Sequence, residues 1–121
     1  MAGEPDGLAG RSCAVVRRYV TEALFGGDER ALRETVADPV LQERAWLFWA
    51  AFTDRTLDDV EVLFANADGS LVACHLTGNM IQVAPWLTAG TDADGRPTRV
   101  ECTGTYVMRD GKIANFRETW R

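Results

Sequence analysis

The stretch Thr98-Arg99-Val100-Glu101-Cys102-Thr103-Gly104-Thr105-Tyr106-Val107-Met108-Arg109-Asp110-Gly111-Lys112-Ile113-Ala114-Asn115-Phe116-Arg117-Glu118-Thr119-Trp120-Arg121 alternates in type on either side of Asp110-Gly111. Alternation with a period of two marks strands, and an Asp-Gly pair between two such runs marks a tight hairpin. With Asp110 and Gly111 as the central turn residues, Arg109 faces Lys112. Regular pairing outward then sets Thr105 opposite Phe116, Thr103 opposite Glu118 and Glu101 opposite Trp120, all on one face. The other face carries Met108, Ile113, Tyr106, Cys102 and Val100, with Asn115, Arg117 and Thr119.

Upstream, Pro85-Trp86-Leu87 and the polar Thr91-Asp92-Ala93-Asp94-Gly95 read as a loop. The strand before it runs from about Leu71 to Val83, and Gly78 inside it suggests a bulge or bend. Asn66-Ala67-Asp68-Gly69-Ser70 is a second hairpin turn. The period of two begins at Asp59; before that it is 3.6. A helix from about Val40 to Phe52 follows the breaker Asp38-Pro39, and a short one begins at the cap Asp28. The first helix starts at the expected cap Ser12, carries Val16, Tyr19, Val20, Ala23 and Leu24, and stops at Gly26-Gly27. Residues 1–11 lack periodicity and read as a flexible tail, leaving 12–121 as a single domain. Helices first and strands after give an α+β class, not βαβ winding.

Composition narrows the function. Acidic residues outnumber basic ones 18 to 13, giving a net charge of −5, so no basic face for nucleic acid is expected. The longest apolar run, Ala45 to Phe52, is too short to span a bilayer, so no membrane partner is expected either. The opening Met1-Ala2-Gly3-Glu4-Pro5-Asp6 lacks a basic signal region, so a cytoplasmic location is expected. Cys13, Cys74 and Cys102 are widely spaced and His75 is the sole histidine, so neither a metal site nor any other cofactor is expected. The cysteines read as buried thiols.

The last strand supplies the chemistry. Phe116, Glu118 and Trp120 point the same way, and a carboxylate between two aromatic rings is costly to ionise. Such an acid can hold or transfer a proton near neutral pH. Glu101 is placed as a diagonal neighbour of Glu118, and Arg99 lies one pleat further along, a set that can divide into acid and base. The other reading is an ion network on a solvated face. His75 shares a strand face with Ala73, Thr77, Asn79 and Ile81, which suits a lined pocket, and Tyr19 on the first helix can donate into the same cavity. Trp46 and Trp49 make the third helix apolar around much of its circumference, as expected of a helix between sheet and cavity.

The ending Gly95-Arg96-Pro97-Thr98-Arg99-Val100 with Thr105-Tyr106-Val107-Met108-Arg109-Asp110-Gly111-Lys112-Ile113, and the front motifs Arg17-Arg18-Tyr19-Val20, Gly26-Gly27-Asp28 and Val36-Ala37-Asp38, resemble one family. It is the SnoaL-like polyketide cyclase branch of the nuclear-transport-factor-2-like superfamily, and the resemblance spans residues 12–121. It implies a cone-shaped, curved mixed sheet wrapped around three helices with an internal pocket, and a homodimer. It also implies metal-free acid/base chemistry of cyclase, isomerase or epoxide-hydrolase type on an apolar, polyketide-like substrate. The alternative is a non-catalytic ligand-binding or dimerisation module of the same fold. The His common in the last strand of such cyclases falls here on Phe116, and the Arg expected after the Tyr is Val107. Arg99, Glu101 and Glu118 look like the Asp-Arg-Asp set of limonene-epoxide-hydrolase-type enzymes. Tyr19 sits where ketosteroid isomerases carry an oxyanion-binding Tyr, and Asp38 and Glu43 lie nearest their catalytic Asp. The expected catalytic set is therefore Glu118, Glu101, His75, Tyr19 and Arg99. Trp46, Trp49, Trp86, Phe116, Trp120, Thr103 and Asn79 are the expected substrate contacts.

Overall fold

The computed structural model describes residues 7–86 and 95–121. Helix α1 (Gly7–Arg18) continues without a break into a π-helical segment (Tyr19–Phe25), followed by α2 (Glu29–Thr35) and α3 (Pro39–Ala51). Four strands follow: β1 (Phe52–Ala65), β2 (Leu71–Gln82), β3 (Pro97–Arg109) and β4 (Lys112–Trp120). They form one curved, unclosed antiparallel sheet in chain order. The one parallel contact among the described residues is the isolated bridge Val36↔Ile113, which ties the end of α2 to β4. The expected α+β cone is therefore present.

Residues 7–11, expected as part of a flexible tail, are helical instead; residues 1–6 lie outside the described residues, as do 87–94 of the expected loop. The helix begins early because Ala9, Cys13 and Val16 already form a buried stripe, whose first member is too small to stand out in the sequence. Ser12 is not a cap. Its hydroxyl donates to the Gly69 carbonyl at 2.6 Å and pins the β1–β2 turn against α1. Gly69 sits at φ +72°, and a Cβ there would lie 2.5 Å from the Leu8 carbonyl oxygen, so only glycine fits. The other two helix starts follow the local chemistry. The Asp28 carboxylate accepts from the Ala31 N–H at 3.1 Å, and that of Asp38 from the Val40 N–H at 2.8 Å. Asp38 is thus a cap with Pro39 behind it, and it does not line the cavity described below.

Strand β1 starts directly at Phe52, ahead of the expected Asp59. Its first half breaks alternation because Asp54 adopts φ +51° and the pairing with β2 shifts between Thr53 and Thr56. The irregularity expected at Gly78 sits on its partner strand, where β1 shifts register between Leu57 and Asp59. Strand β2 alternates strictly. Val72, Cys74, Leu76 and Met80 are buried against the helices, while Ala73, His75, Thr77, Asn79 and Ile81 are on the outer face. The inward choice follows from area: the Val-Cys-Leu-Met face gains more from leaving water than the Ala-His-Thr-Asn face.

The decisive departure lies in the last hairpin. Met108 pairs with Ile113, but the next pair is Val107↔Asn115, so Ala114 is an extra residue on β4. Beyond it Tyr106 faces Phe116, Gly104 faces Glu118 and Cys102 faces Trp120. The expected partners Thr105, Thr103 and Glu101 are turned to the opposite side.

The π-helical segment has its own support from α3 and β1. The Trp49 indole N–H donates to the carbonyls of Ala23 and Leu24 at 3.1 and 3.0 Å, and Arg55 Nε donates to the Phe25 carbonyl at 3.1 Å. The Ala23 carbonyl also accepts from the Gly27 N–H at 3.0 Å, so these side chains add partners to the last carbonyls of the segment. Replacing Trp49 with Phe keeps an aromatic ring but removes the donor and the fused second ring. We expect a loss of about 1–2 kcal/mol in urea unfolding at unchanged slope. A variant as stable as the parent would show that water serves those carbonyls equally well.

Candidate functional site

The register shift at Ala114 aims Phe116, Glu118 and Trp120 at the helices. Glu118 reaches into a cavity of about 170 Å³ together with Tyr19, Arg44, Phe48 and Trp86. Tyr106, on the neighbouring strand, donates its hydroxyl to Glu118 Oε2 at 2.8 Å. Gly104 makes this reach possible. The Tyr106 ring lies back along β3 over Gly104, and a Cβ at 104 would fall 2.4 Å from the Tyr106 oxygen and 2.7 Å from the ring. Tyr19, at the first position of the π-helical segment, packs edge-on to Tyr106 with centroids 5.8 Å apart and lies 5.9 Å from Phe116. Both tyrosines are fully enclosed, at 1% and 0% exposure. Arg44 places its guanidinium carbon 5.7 Å above the Phe116 ring, at the side of the cavity.

The electrostatics follow from this enclosure. Burial disfavours the charged form of Glu118 and pushes its pKa up to about 7; hydrogen bonds from Tyr106 and Tyr19, and the Arg44 charge, offset part of that rise. Burial, reinforced by the Glu118 charge, holds both tyrosine hydroxyls well above their usual range, so they are neutral donors. Burial also raises the Cys74 thiol to about 11 and the Cys102 thiol further, so neither is a ready nucleophile. No group of three or more His, Cys, Asp or Glu side chains able to hold a metal ion occurs among the described residues.

Several expected site residues lie elsewhere. His75, Glu101, Arg99, Thr103 and Asn79 share the outer face of the sheet, away from the cavity. There His75 Nε2 is 3.4 Å from Glu101 Oε2, and Arg99 and Asn79 both meet Asp58, at 3.5 and 3.1 Å. The cause for Glu101, Thr103 and Arg99 is the extra residue at Ala114, which reverses β3 relative to β4; His75 and Asn79 belong to the less apolar face of β2. Trp49 is the helix strut described above, and Trp46 is 46% exposed, edge-on to Trp49 and outside the cavity. Tyr19, Trp86, Phe116, Glu118 and Trp120 do come together at one site. Sequence reasoning missed Leu24, Arg44 and Phe48 as cavity walls and Tyr106 as the hydrogen-bond partner of Glu118. Arg44 stands one helical turn before Phe48, a spacing that could have flagged it.

Two outcomes follow from this geometry. An acid whose folded pKa lies above its unfolded one favours the fold fully below the unfolded value and loses that advantage as pH rises through the folded value. The parent should therefore lose thermal stability between about pH 4.5, the unfolded value of a Glu, and about pH 7, and Glu118→Gln should flatten that slope. Tyr106→Phe removes a donor to the charged form, so Glu118 should titrate above 7 in carboxyl-carbon NMR. Gly104→Ala should move it the same way by displacing the Tyr106 hydroxyl, with no added shift in the double variant.

No family model matches the chain, and no curated protein matches it by sequence. Solved structures do match. A candidate polyketide cyclase from Pseudomonas putida KT2440 superposes with a TM-score of 0.73 at 19% identity, covering 97% of this chain and 93% of that one. A candidate SnoaL-like polyketide cyclase from Jannaschia sp. CCS1 gives 0.70 at 17% identity, covering 98% and 91%. An NTF2-like protein from Anabaena variabilis ATCC 29413 gives 0.65 at 13% identity, covering 98% and 96%. At these identities the likeness speaks for architecture: the chain has the NTF2-like fold that SnoaL-like proteins share.

Proposed function

We propose that the chain is a small-molecule tailoring enzyme of cyclase or isomerase type, acting on an apolar, polyketide-like ring substrate with Glu118 as the proton-transferring group. The observation that carries this is a half-buried carboxylate lining an aromatic cavity and hydrogen-bonded by Tyr106, with its pKa pushed up to about 7. An acid poised there is partly ionised at neutral pH, so it can take a proton and give it back. In the proposed step, ionised Glu118 removes a proton from a carbon beside a substrate carbonyl. The C–H electron pair forms the new carbon–carbon double bond and the carbonyl π pair moves onto oxygen as an enolate; in this proposal the neutral Tyr19 hydroxyl, released from Glu118 once that is protonated, donates to it. Protonated Glu118 then returns the proton, either to a different carbon in isomerisation or to the new alkoxide oxygen after carbon–carbon bond formation. The names of the solved structures above fit this class. No helix among the described residues is long and apolar enough to cross a membrane. Assembly as a homodimer is part of the proposal. Exposed Phe64 and Val107 on the outer sheet face support it, and light scattering measures it.

Benzoylacetone in D2O serves as a first probe, with loss of its α-proton signal followed by NMR. The parent should accelerate exchange over buffer, and Glu118→Gln should lower that acceleration by at least about 100-fold while keeping the fold. Equal acceleration by the variant removes Glu118 from the mechanism. An unshifted Glu118 titration in the parent would favour the binding-module alternative.

A further inference from the structure

Beside the cavity that holds Glu118 lies a second one of about 180 Å³. The two adjoin, with Phe48, Trp86 and Trp120 lining both. Phe48 stands between the indoles, edge-on to Trp86 at 5.4 Å and inclined 31° to Trp120 at 5.2 Å. Each chamber is ring-sized, since an apolar cavity of about 150 Å³ accommodates benzene. Their chemistries differ sharply. The one termed the outer chamber carries Glu118, Tyr19 and Arg44. The one termed the inner chamber is edged by exposed Thr98 and Arg121 and walled by Phe52, Met80 and Val100, and no carboxylate lines it among the described residues. Its described polar members have protein partners: the Gln82 amide donates to the Ala84 carbonyl at 3.0 Å, the Thr98 hydroxyl donates to the Arg96 carbonyl at 3.2 Å, and Arg121 reaches Glu101 on the outer face at 3.9 Å. Against Phe52, Met80 and Val100 a charged or hydroxyl-rich group would find no partner, whereas a bare hydrocarbon ring needs none.

We propose that the pocket is bipartite and selects a substrate with two ring-sized parts: an oxygen-bearing ring against Glu118 and Tyr19, and an unsubstituted hydrocarbon ring on Met80, Val100 and Phe52. Which ring faces which chamber rests on the acid/base reading of Glu118; the two-part shape does not. Aromatic faces and edges of Phe48, Trp86 and Trp120 along both chambers favour flat rings over branched chains. Met80, 2% exposed and unbranched, is the adaptable element of the inner floor.

Phenol and 2-naphthol are the probes, matched in their hydroxyl and differing by one ring. 2-Naphthol should bind the parent at least tenfold more tightly in a tryptophan-fluorescence titration. By NMR it should shift both the Met80 methyl and the Glu118 carboxyl carbon, while phenol should shift Glu118 alone. Met80→Trp fills the inner chamber, so the naphthol-to-phenol affinity ratio should fall towards one. Val100→Phe offers the same test should Met80→Trp fold poorly by circular dichroism. Equal affinities in the parent, or a ratio untouched by a folded filling variant, overturn the proposal. A Met80 response without any Glu118 response would keep the inner ring site and reject the acid/base reading.

Discussion

A single extra residue in β4 decides what this sheet presents to its interior. Ala114 has no partner across the hairpin, so every residue after it is turned over relative to β3. Without that turn Glu118 would sit above Thr103 with no phenol in reach. With it, the carboxylate stands opposite Gly104, and Tyr106 lies across the glycine to donate at 2.8 Å. The enclosure by Tyr19, Phe116 and Trp120, and the raised pKa, are consequences of the same half-turn. Bulges are often found beside functional sites because they re-aim one side chain without disturbing the sheet as a whole.

The sheet also sorts charge. With 18 acidic and 13 basic residues the chain has many carboxylates, yet Glu118 alone lines the aromatic cavity among the described residues. The others described are on helix surfaces and caps, in turns or on the outer sheet face, some in half-exposed pairs such as Arg99–Asp58 and His75–Glu101. Such pairs add little stability in water. The interior carboxylate costs stability whenever it is ionised. That cost is confined to one position, which suits a group kept for chemistry.

What could be read from the residues was whatever is decided within a few positions. Asp28 announces a helix start because a cap needs only its own carboxylate and the amides two or three residues on, whereas Asp38, read as the breaker before Pro39, turns out to cap the next helix in the same way. Asp110-Gly111 fixes a turn for the same reason. The alternation of β2 was equally plain, but alternation defines two faces without saying which one the helices cover. Burial of Val72, Cys74, Leu76 and Met80 answered that, and sent His75 and Asn79 outward. Ala114 carries no signal of its own. Its bulge exists because Phe116 and Trp120 are better placed inside with Tyr106 than outside with Thr105, a comparison made across three strands and a helix. Glu118 was legible as an acid among aromatics; its phenolic partner was not.

The strut made by Trp49 has an optical corollary. The chain's four tryptophans fall into two pairs. Trp46 and Trp49 lie edge-on at 5.2 Å, close enough to couple as a pair of chromophores, and stand outside the cavities. Trp86 and Trp120 pack against Phe48 and line both chambers. The protein thus contains its own reference dye and its own sensor, one pair registering the integrity of the helical layer and the other the contents of the cone.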